Sequence, residues 1–337
     1  MSELIINDRG DTKFVPTSVR DRFREEPPEF TPTTPRDTLK PWEAHLEEQS
    51  RRAEFRAELD PSDDEVFIHT PTDRVQLLYM QGDLHFGHDG LDWDRINQNT
   101  HLLLGGSDRR ALFLGDMVDN LFFNKDEDSA NVTEQITALN SWLNDMRDQE
   151  AILAMISGNH DQFLRKTSGM GIELAMDLAD GKVPYLRNGG FVNWKVGDQI
   201  YKIYVKHKTR YNSDLNPHHT NHRLYWMEAQ NADIVATGHQ HSLTVEHWAI
   251  KQHDEARDVY FAKTGCMKEA DSYRDANGFI PRWQNDGVCY CFSPVKHEVW
   301  QVVGMEKGCR LQQMLQWEQE NNEEIPAKQF VEELSRL

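Results

Sequence analysis

Residues 75–88 read VQLLYMQGDLHFGH, a short apolar run that ends in a glycine, a carboxylate and two imidazoles. The run VQLLYM has the length of a buried strand and is far too short to cross a bilayer. Asp83 and His85 therefore stand where a strand ends and a loop begins. Four later apolar runs end in the same way. ALFLGDMVDN carries Asp116 and Asp119, AILAMISGNHD carries Asn159 and His160, IYKIYVKHK carries His207, and IVATGHQHS carries His239 and His241. Strand ends of this kind are where open α/β sheets gather their active sites.

The segments between these runs alternate in period, which predicts an α/β chain. Strands are expected over 75–80, 111–114 and 152–156, with helices near 93–104 and 133–146 between them. A further helix is expected over 171–180. FVNWKVGDQIYKIYVKH reads as two strands around a turn at Gly197 and Asp198. A helix over about 220–231 then precedes strands at 234–237, 243–250, 258–264, 287–293 and 299–304. The fold class that fits is a two-sheet α/β sandwich.

The residue types at the strand ends suit a pair of divalent cations. Such a pair needs oxygen and nitrogen ligands from several directions, with one ligand shared so that the ions sit about 3.5–4 Å apart. An Asp-x-His pair on extended backbone points both side chains to one face, because the strand period is two. His239 and His241 repeat the device. No cysteine lies among the candidates, and a carboxylate, amide and imidazole set suits Mn, with Fe, Zn or Ni as alternatives.

The ordered series D-x-H, G-D-x-x-D, G-N-H-D, a lone His and G-H-x-H resembles the calcineurin-like metallophosphoesterase superfamily, over about Val75 to Thr264. The resemblance implies that Asp83, His85, Asp116 and His241 hold one metal and that Asp116, Asn159, His207 and His239 hold the other, with Asp116 as the bridge. It independently implies two mixed β-sheets packed as a sandwich and flanked by helices, with the metals at their shared edge. His160 would protonate the leaving oxygen or steady the phosphoryl group, and Asp119 would fix the His160 ring. Two divalent ions facing two carboxylates leave a net positive centre that would acidify a bridging water, so a metal-bridging hydroxide is the expected nucleophile. Phosphoprotein phosphatases of that superfamily read G-D-x-V-D-R-G, where the Arg grips phosphate; here that position is Asn120. The loops also resemble those of uncharacterised phosphoesterases carried by bacteriophages.

Substrate contacts are less sharply written. Candidates are His88, Asn120, Arg165 after GNHD, Lys208 and Arg210 beside His207, and Tyr273 and Trp283 in GCMKEADSYRDANGFIPRW, where aromatic and basic groups together suit a nucleobase. The polar stretch 207–223 is longer than a simple connection needs and is a candidate rim. These features favour a phosphodiesterase acting on a nucleotide or nucleic acid. A phosphomonoesterase acting on a phosphoprotein or small metabolite is the alternative enzyme, and a scaffold that retains the fold without catalysis is the third reading.

Around this unit, the first 72 residues hold eight of the thirteen prolines between charged stretches, the composition of an arm or linker. A short helix over 42–59 is expected within it. A catalytic domain is expected over 73–305, followed by an acidic, partly helical tail over 306–337 in which Phe330, Val331, Leu334 and Leu337 form a stripe for docking on the core or a partner. The net charge of −19 argues against nucleic-acid binding over the whole surface, though not against a local cationic site. The four cysteines show no framework spacing, and the opening MSELIINDRGD has no basic-then-apolar signal segment. The expected location is the cytoplasm, a host cytoplasm for a viral protein, with no membrane partner.

Overall fold

The computed structural model describes residues 2–6, 12–16, 41–59, 65–119, 132–168, 183–210, 216–252, 255–269 and 286–321. Fourteen strands among them form two sheets. The six-stranded sheet is built on β4 (Gln76–Gln81), β5 (Arg109–Phe113), β6 (Ile152–Ile156) and β7 (Tyr185–Leu186), which run parallel in that order. β13 (Val288–Phe292) and β14 (Val299–Val303) extend it antiparallel beyond β4.

The eight-stranded sheet centres on β8 (Gly190–Val196), β9 (Gln199–Lys206), β10 (Ile234–Thr237) and β12 (Glu255–Lys263), with β11 (Thr244–Gln252) at one edge. β9, β10 and β12 are parallel neighbours. On its other side it continues through β3 (Glu65–Thr70), β2 (Thr12–Pro16) and β1 (Ser2–Ile6).

Alternation along each strand explains the layers. Leu78 and Met80 of β4, Leu112 of β5 and Ile156 of β6 meet Val192, Trp194, Tyr201, Ile203 and Ala236 of the other sheet in one buried cluster. Their neighbours Leu77, Tyr79, Ala111 and Phe113 face the opposite way, as a period of two requires. There they pack against α2 (Trp93–Leu104), α3 (Val132–Asp148) and α6 (Met305–Asn321) through Ile96, Leu103, Leu139, Leu143, Leu311 and Leu315. The outer face of the larger sheet is covered by α5 (His219–Glu228), whose Leu224 and Tyr225 lie on Tyr204, Val235 and Phe261. The two remaining helices are α1 (Pro41–Leu59) and α4 (Asn159–Ser168).

Two expected boundaries are corrected. The stretch 1–72 is not wholly an arm, because β3 pairs in parallel with β8 and buries Val66 and Ile68 while Glu65 and Phe67 stay exposed. That alternation marks a half-buried strand despite the surrounding prolines. Likewise α6 belongs to the core, since Met305, Cys309, Leu311 and Leu315 are buried against the six-stranded sheet. The expected helix over 171–180 and the stripe at Phe330 to Leu337 lie outside the described residues. No helix among the described residues is long and apolar enough to cross a membrane.

Candidate metal centre

β4, β5 and β6 are adjacent and parallel, so the loops after them leave the six-stranded sheet side by side with Asp83 and His85, Asp116 and Asp119, and Asn159 and His160. β9 and β10 do the same for His207 and for His239 and His241 in the facing sheet. The two sets meet. Nε2 of His207 lies 3.0 Å from Oδ2 of Asp116, and Nε2 of His241 lies 3.4 Å from Oδ1 of Asp83. Two compact groups result, Asp83 with His85 and His241, and Asp116 with His207 and His239; within each, the ligating atoms lie within 4.8 Å of one another. Asn159 joins the second group, its Oδ1 3.2 Å from Nε2 of His207.

The backbone that achieves this is not the extended form expected for Asp-x-His. Asp83, His85, Asp116, His239 and His241 have φ of 54, 51, 51, 71 and 53°. A left-handed conformation costs a non-glycine residue roughly 1–2 kcal/mol, and clusters of such residues mark functional sites. Local hydrogen bonds hold them there. Asp83 N–H donates to the Gly115 carbonyl at 2.9 Å and His85 N–H to the Asp116 carbonyl at 3.0 Å. His239 N–H donates to Oδ2 of Asp83 at 2.8 Å, and His160 N–H to Oδ1 of Asp116 at 2.8 Å.

Asp161, to which the sequence reading gave no role, is the central brace. Its buried carboxylate accepts the N–H groups of Gly158 at 2.7 Å, Asp116 at 2.8 Å and Met117 at 2.9 Å. Burial, then the neighbouring Asp116, push this carboxyl up to about 7, against the pull of those donors. Its signal in the sequence is the acid in the first turn of a helix, where it meets unpaired backbone N–H groups.

Charge in the centre is divided. Burial pushes His85 down to about 3 and His239 down to about 4. Burial acts the same way on His241 and His207, but Cys266 and Asp83 raise His241 to about 10, and Asp116 raises His207 to about 9. Asp83 and Asp116 are both held below the ordinary carboxylate range, burial being outweighed chiefly by His241 for the first and His207 for the second. Each carboxylate thus faces one of the two raised imidazoles, Asp83 facing His241 and Asp116 facing His207.

These residues fit a pair of divalent cations on three counts. The donors are carboxylate oxygen, amide oxygen and imidazole nitrogen, the set such ions take. Oδ1 of Asp83 is buried without a well-formed hydrogen bond among the described residues, and Nε2 of His85 faces Nε2 of His241 at 3.1 Å, two nitrogens aimed at one point. The loops leave room for the carboxylates only because glycine flanks them. A Cβ on Gly158 would stand 2.1 Å from Oδ1 of Asp116, and one on Gly238 2.9 Å from Oδ2 of Asp83. His207 is oriented for the task, since its Nδ1 donates to the Leu114 carbonyl at 2.7 Å and leaves Nε2 to the centre.

Asp119 does not hold His160 through its carboxylate, as the resemblance implied. Oδ1 of Asp119 lies 2.8 Å from Nδ1 of His85 and 2.8 Å from Nζ of Lys268, while His160 Nδ1 pairs with the Asp119 main-chain carbonyl. Lys268 and Cys266, both buried beside the centre, were not anticipated. Burial would raise the Cys266 thiol, but His241 alongside holds it below its ordinary value. His88 is not at a substrate surface. It is buried, and its Nδ1 accepts the Gly90 N–H at 2.9 Å. Lys208 and Arg210 are exposed, and the Lys208 charge is felt at His239. Asn120, Tyr273, Trp283 and the Arg165 side chain lie outside the described residues.

No family model and no curated protein matches this chain. Solved structures do. Vps29 of Entamoeba histolytica complexed with zinc is 15% identical, with 68% of this chain and 99% of that one covered and a TM-score of 0.34. Vps29 of Chaetomium thermophilum is 14% identical over 68% and 98%, with a TM-score of 0.35. A metallophosphoesterase from Sphaerobacter thermophilus is 12% identical over 68% and 88%, with a TM-score of 0.35.

Proposed function

We propose that this protein is a metal-dependent phosphoester hydrolase, and that its substrate is a phosphodiester of a nucleotide or nucleic acid. The observation that carries this reading is the meeting of five strand-end loops in two groups, Asp83 with His85 and His241, and Asp116 with His207, His239 and Asn159. When bound there, two divalent cations supply Lewis acidity to a phosphoryl oxygen and to an attacking water. Asp116 has its Oδ2 3.0 Å from His207 and 3.9 Å from His160 and its charge felt at Asp83, which supports it as the residue that would hold both cations.

The chain's own residues do the rest. His160 has its Nδ1 tied to the Asp119 carbonyl, so Nε2, 3.9 Å from Oδ2 of Asp116, is the nitrogen turned to the centre. From that nitrogen it would hand a proton to the departing alkoxide. Lys208, exposed and next to His207, draws the anionic substrate toward a protein whose net charge of −19 would otherwise repel it. The diester reading rests on Asn120 standing where phosphoprotein phosphatases carry a phosphate-gripping Arg. Mn(II)-loaded full chain assayed on bis-p-nitrophenyl phosphate, p-nitrophenyl phosphate and single-stranded DNA tests it, with His160→Ala and chelated protein as controls. Diester cleavage lost in both controls is expected. Undiminished turnover after rigorous metal removal overturns the hydrolase reading, and monoester cleavage alone overturns the substrate.

A further inference from the structure

Asp119 stands within reach of two imidazoles. His85, Asp119 and His160 offer ligand atoms within 4.8 Å of one another, and the His85 and His160 rings are 4.7 Å apart, edge to face. The carboxylate lies against the His85 ring, while His160 meets the Asp119 main-chain carbonyl, and a third group shares the carboxylate. Nζ of Lys268 lies 2.8 Å from the same Oδ1 that meets Nδ1 of His85. Lysine is almost never buried unless paired. Lys268 is 4% exposed, and Asp119 and His85 are 1% exposed.

The position of Lys268 is built, not incidental. It sits on the segment after β12, which is tied to the loop carrying Asp83 and His85 at several points. Met267 N–H donates to the Asp83 carbonyl at 3.3 Å, Asp92 N–H to the Met267 carbonyl at 2.9 Å, and Glu269 N–H to the Gly90 carbonyl at 2.7 Å. Leu91 and Lys268 form an isolated bridge between the two segments. These ties fix the segment that sets the ammonium against Asp119.

Resting on the metal-centre reading above, we infer that Lys268 is a positioning residue for the cation held by Asp83, His85 and His241. Its ammonium holds the Asp119 carboxylate beside Nδ1 of His85, 2.8 Å away, which fixes the ring and leaves Nε2 for the ion. A carboxylate behind a metal imidazole is worth about 10–100-fold in metal affinity. Here that carboxylate is itself kept from turning to His160 by a buried lysine. The second group has no part in this relay, because His207 is oriented by the Leu114 carbonyl instead.

The test is titration of the metal-free full chain with Co(II) and with Mn(II), followed by calorimetry and, for Co(II), by the visible spectrum. In Lys268→Met one of the two cations is expected to bind about 10–100-fold more weakly, with its part of the Co(II) spectrum altered, while the other keeps its affinity. Lys268→Arg restores the lost site, and Asp119→Asn reproduces the loss. In the double variant Lys268→Met with Asp119→Asn the loss is no greater than in either alone. Should Lys268→Met fail to fold, Lys268→Arg and the shape-conserving Asp119→Asn are read in its place. Wild-type affinity for both cations in Lys268→Met, or in Asp119→Asn, overturns the assignment. Equal weakening of both cations also overturns it, since that is a general packing defect. A wild-type chain that binds neither ion sinks the metal-centre reading itself, and this assignment with it.

Discussion

Removing the carboxylate of Asp161 tests whether the ligand loops are held by backbone hydrogen bonds to one buried side chain. Asp161→Ala strips the acceptor from three N–H groups, those of Gly158, Asp116 and Met117, now satisfied at 2.7, 2.8 and 2.9 Å. A buried donor left without a partner costs about 1–3 kcal/mol, so three give roughly 3–9 kcal/mol. Water entering the space left by the side chain offsets part of this, and a loss near 4 kcal/mol is expected. Asp161→Asn separates the contributions. Oδ2 serves two of the donors and Oδ1 the third, so an amide that keeps its oxygen at the Oδ2 position retains two bonds. It then sets its NH2 against the N–H of Met117, and the expected loss is about 1–3 kcal/mol. Urea denaturation of the full chain in chelator measures both, free of any contribution from bound metal. Mn(II) titration of the same proteins should show both cations weakened in each, because Asp161 pins the proposed shared ligand, Asp116, whose φ is 51°. A loss below about 1 kcal/mol for Asp161→Ala, or equal losses for the two variants, would refute the reasoning.

Four further outcomes are expected. Adding Mn(II) to chelated protein should raise the melting temperature, because a ligand at about 100 times its Kd stabilises the folded form by about 2.7 kcal/mol per site; an unchanged melt counts against binding. Gly238→Ala places a methyl 2.9 Å from Oδ2 of Asp83 and 3.1 Å from Nδ1 of His207, so metal affinity should fall in a titration; wild-type affinity there would mean that the loops give way freely. Asp233 is held below the ordinary carboxylate range, its burial outweighed by hydrogen bonds from His297, Lys202 N–H and Arg257. Its contribution is therefore present above about pH 4 and lost as pH falls through its lower folded value, so Asp233→Asn should cost about 1–2 kcal/mol near neutrality and flatten the acid limb of the urea stability curve. Burial pushes His218 down to about 4 from an ordinary 6.5, so the unfolded chain takes up a proton that the folded one declines. Stability should fall as pH drops from about 6.5 toward 4, and His218→Asn should lessen that slope.

Where a segment is buried on both faces, or has a regular apolar stripe, the sequence carries the element almost to the residue. The strands at 152–156 and 234–237 and the helix at 93–104 lie where their apolar periods put them. That helix also has the Asp92 side chain accepting the Arg95 N–H as a cap, a local signal. β3 was hidden because its proline-rich surroundings suggested an arm, and its pairing with β8 joins residues more than 120 apart. All seven expected metal ligands come together, because motif order fixes which strand end bears which donor. What stands behind them was not legible. Lys268 reaches Asp119 across 149 residues with no motif at either end. Asp119 could be assigned to His160 or His85 only once the rings had places in space.

The left-handed residues of the candidate metal centre show why local sequence rules fail at this spot and what the failure accomplishes. On extended backbone, residues two apart are separated by about 6.6 Å, at roughly 3.3 Å per residue, and an Asp-x-His pair would present its donors in a row. Here Nε2 of His85 comes within 4.0 Å of Oδ1 of Asp83 because both residues have positive φ. The same curl turns their N–H groups onto the Gly115 and Asp116 carbonyls, tying the loop after β4 to the loop after β5. The conformation that aims the donors is therefore also the one that joins the loops, and the strain cannot be relieved at one residue without loosening its neighbour. Glu150, the one other described non-glycine residue with positive φ, lies in the turn before β6 away from the ligands, and Arg147 and Met146 carbonyls close that turn. Its isolation sets it apart from the five candidate ligands, whose strain is shared across the three loops after β4, β5 and β10.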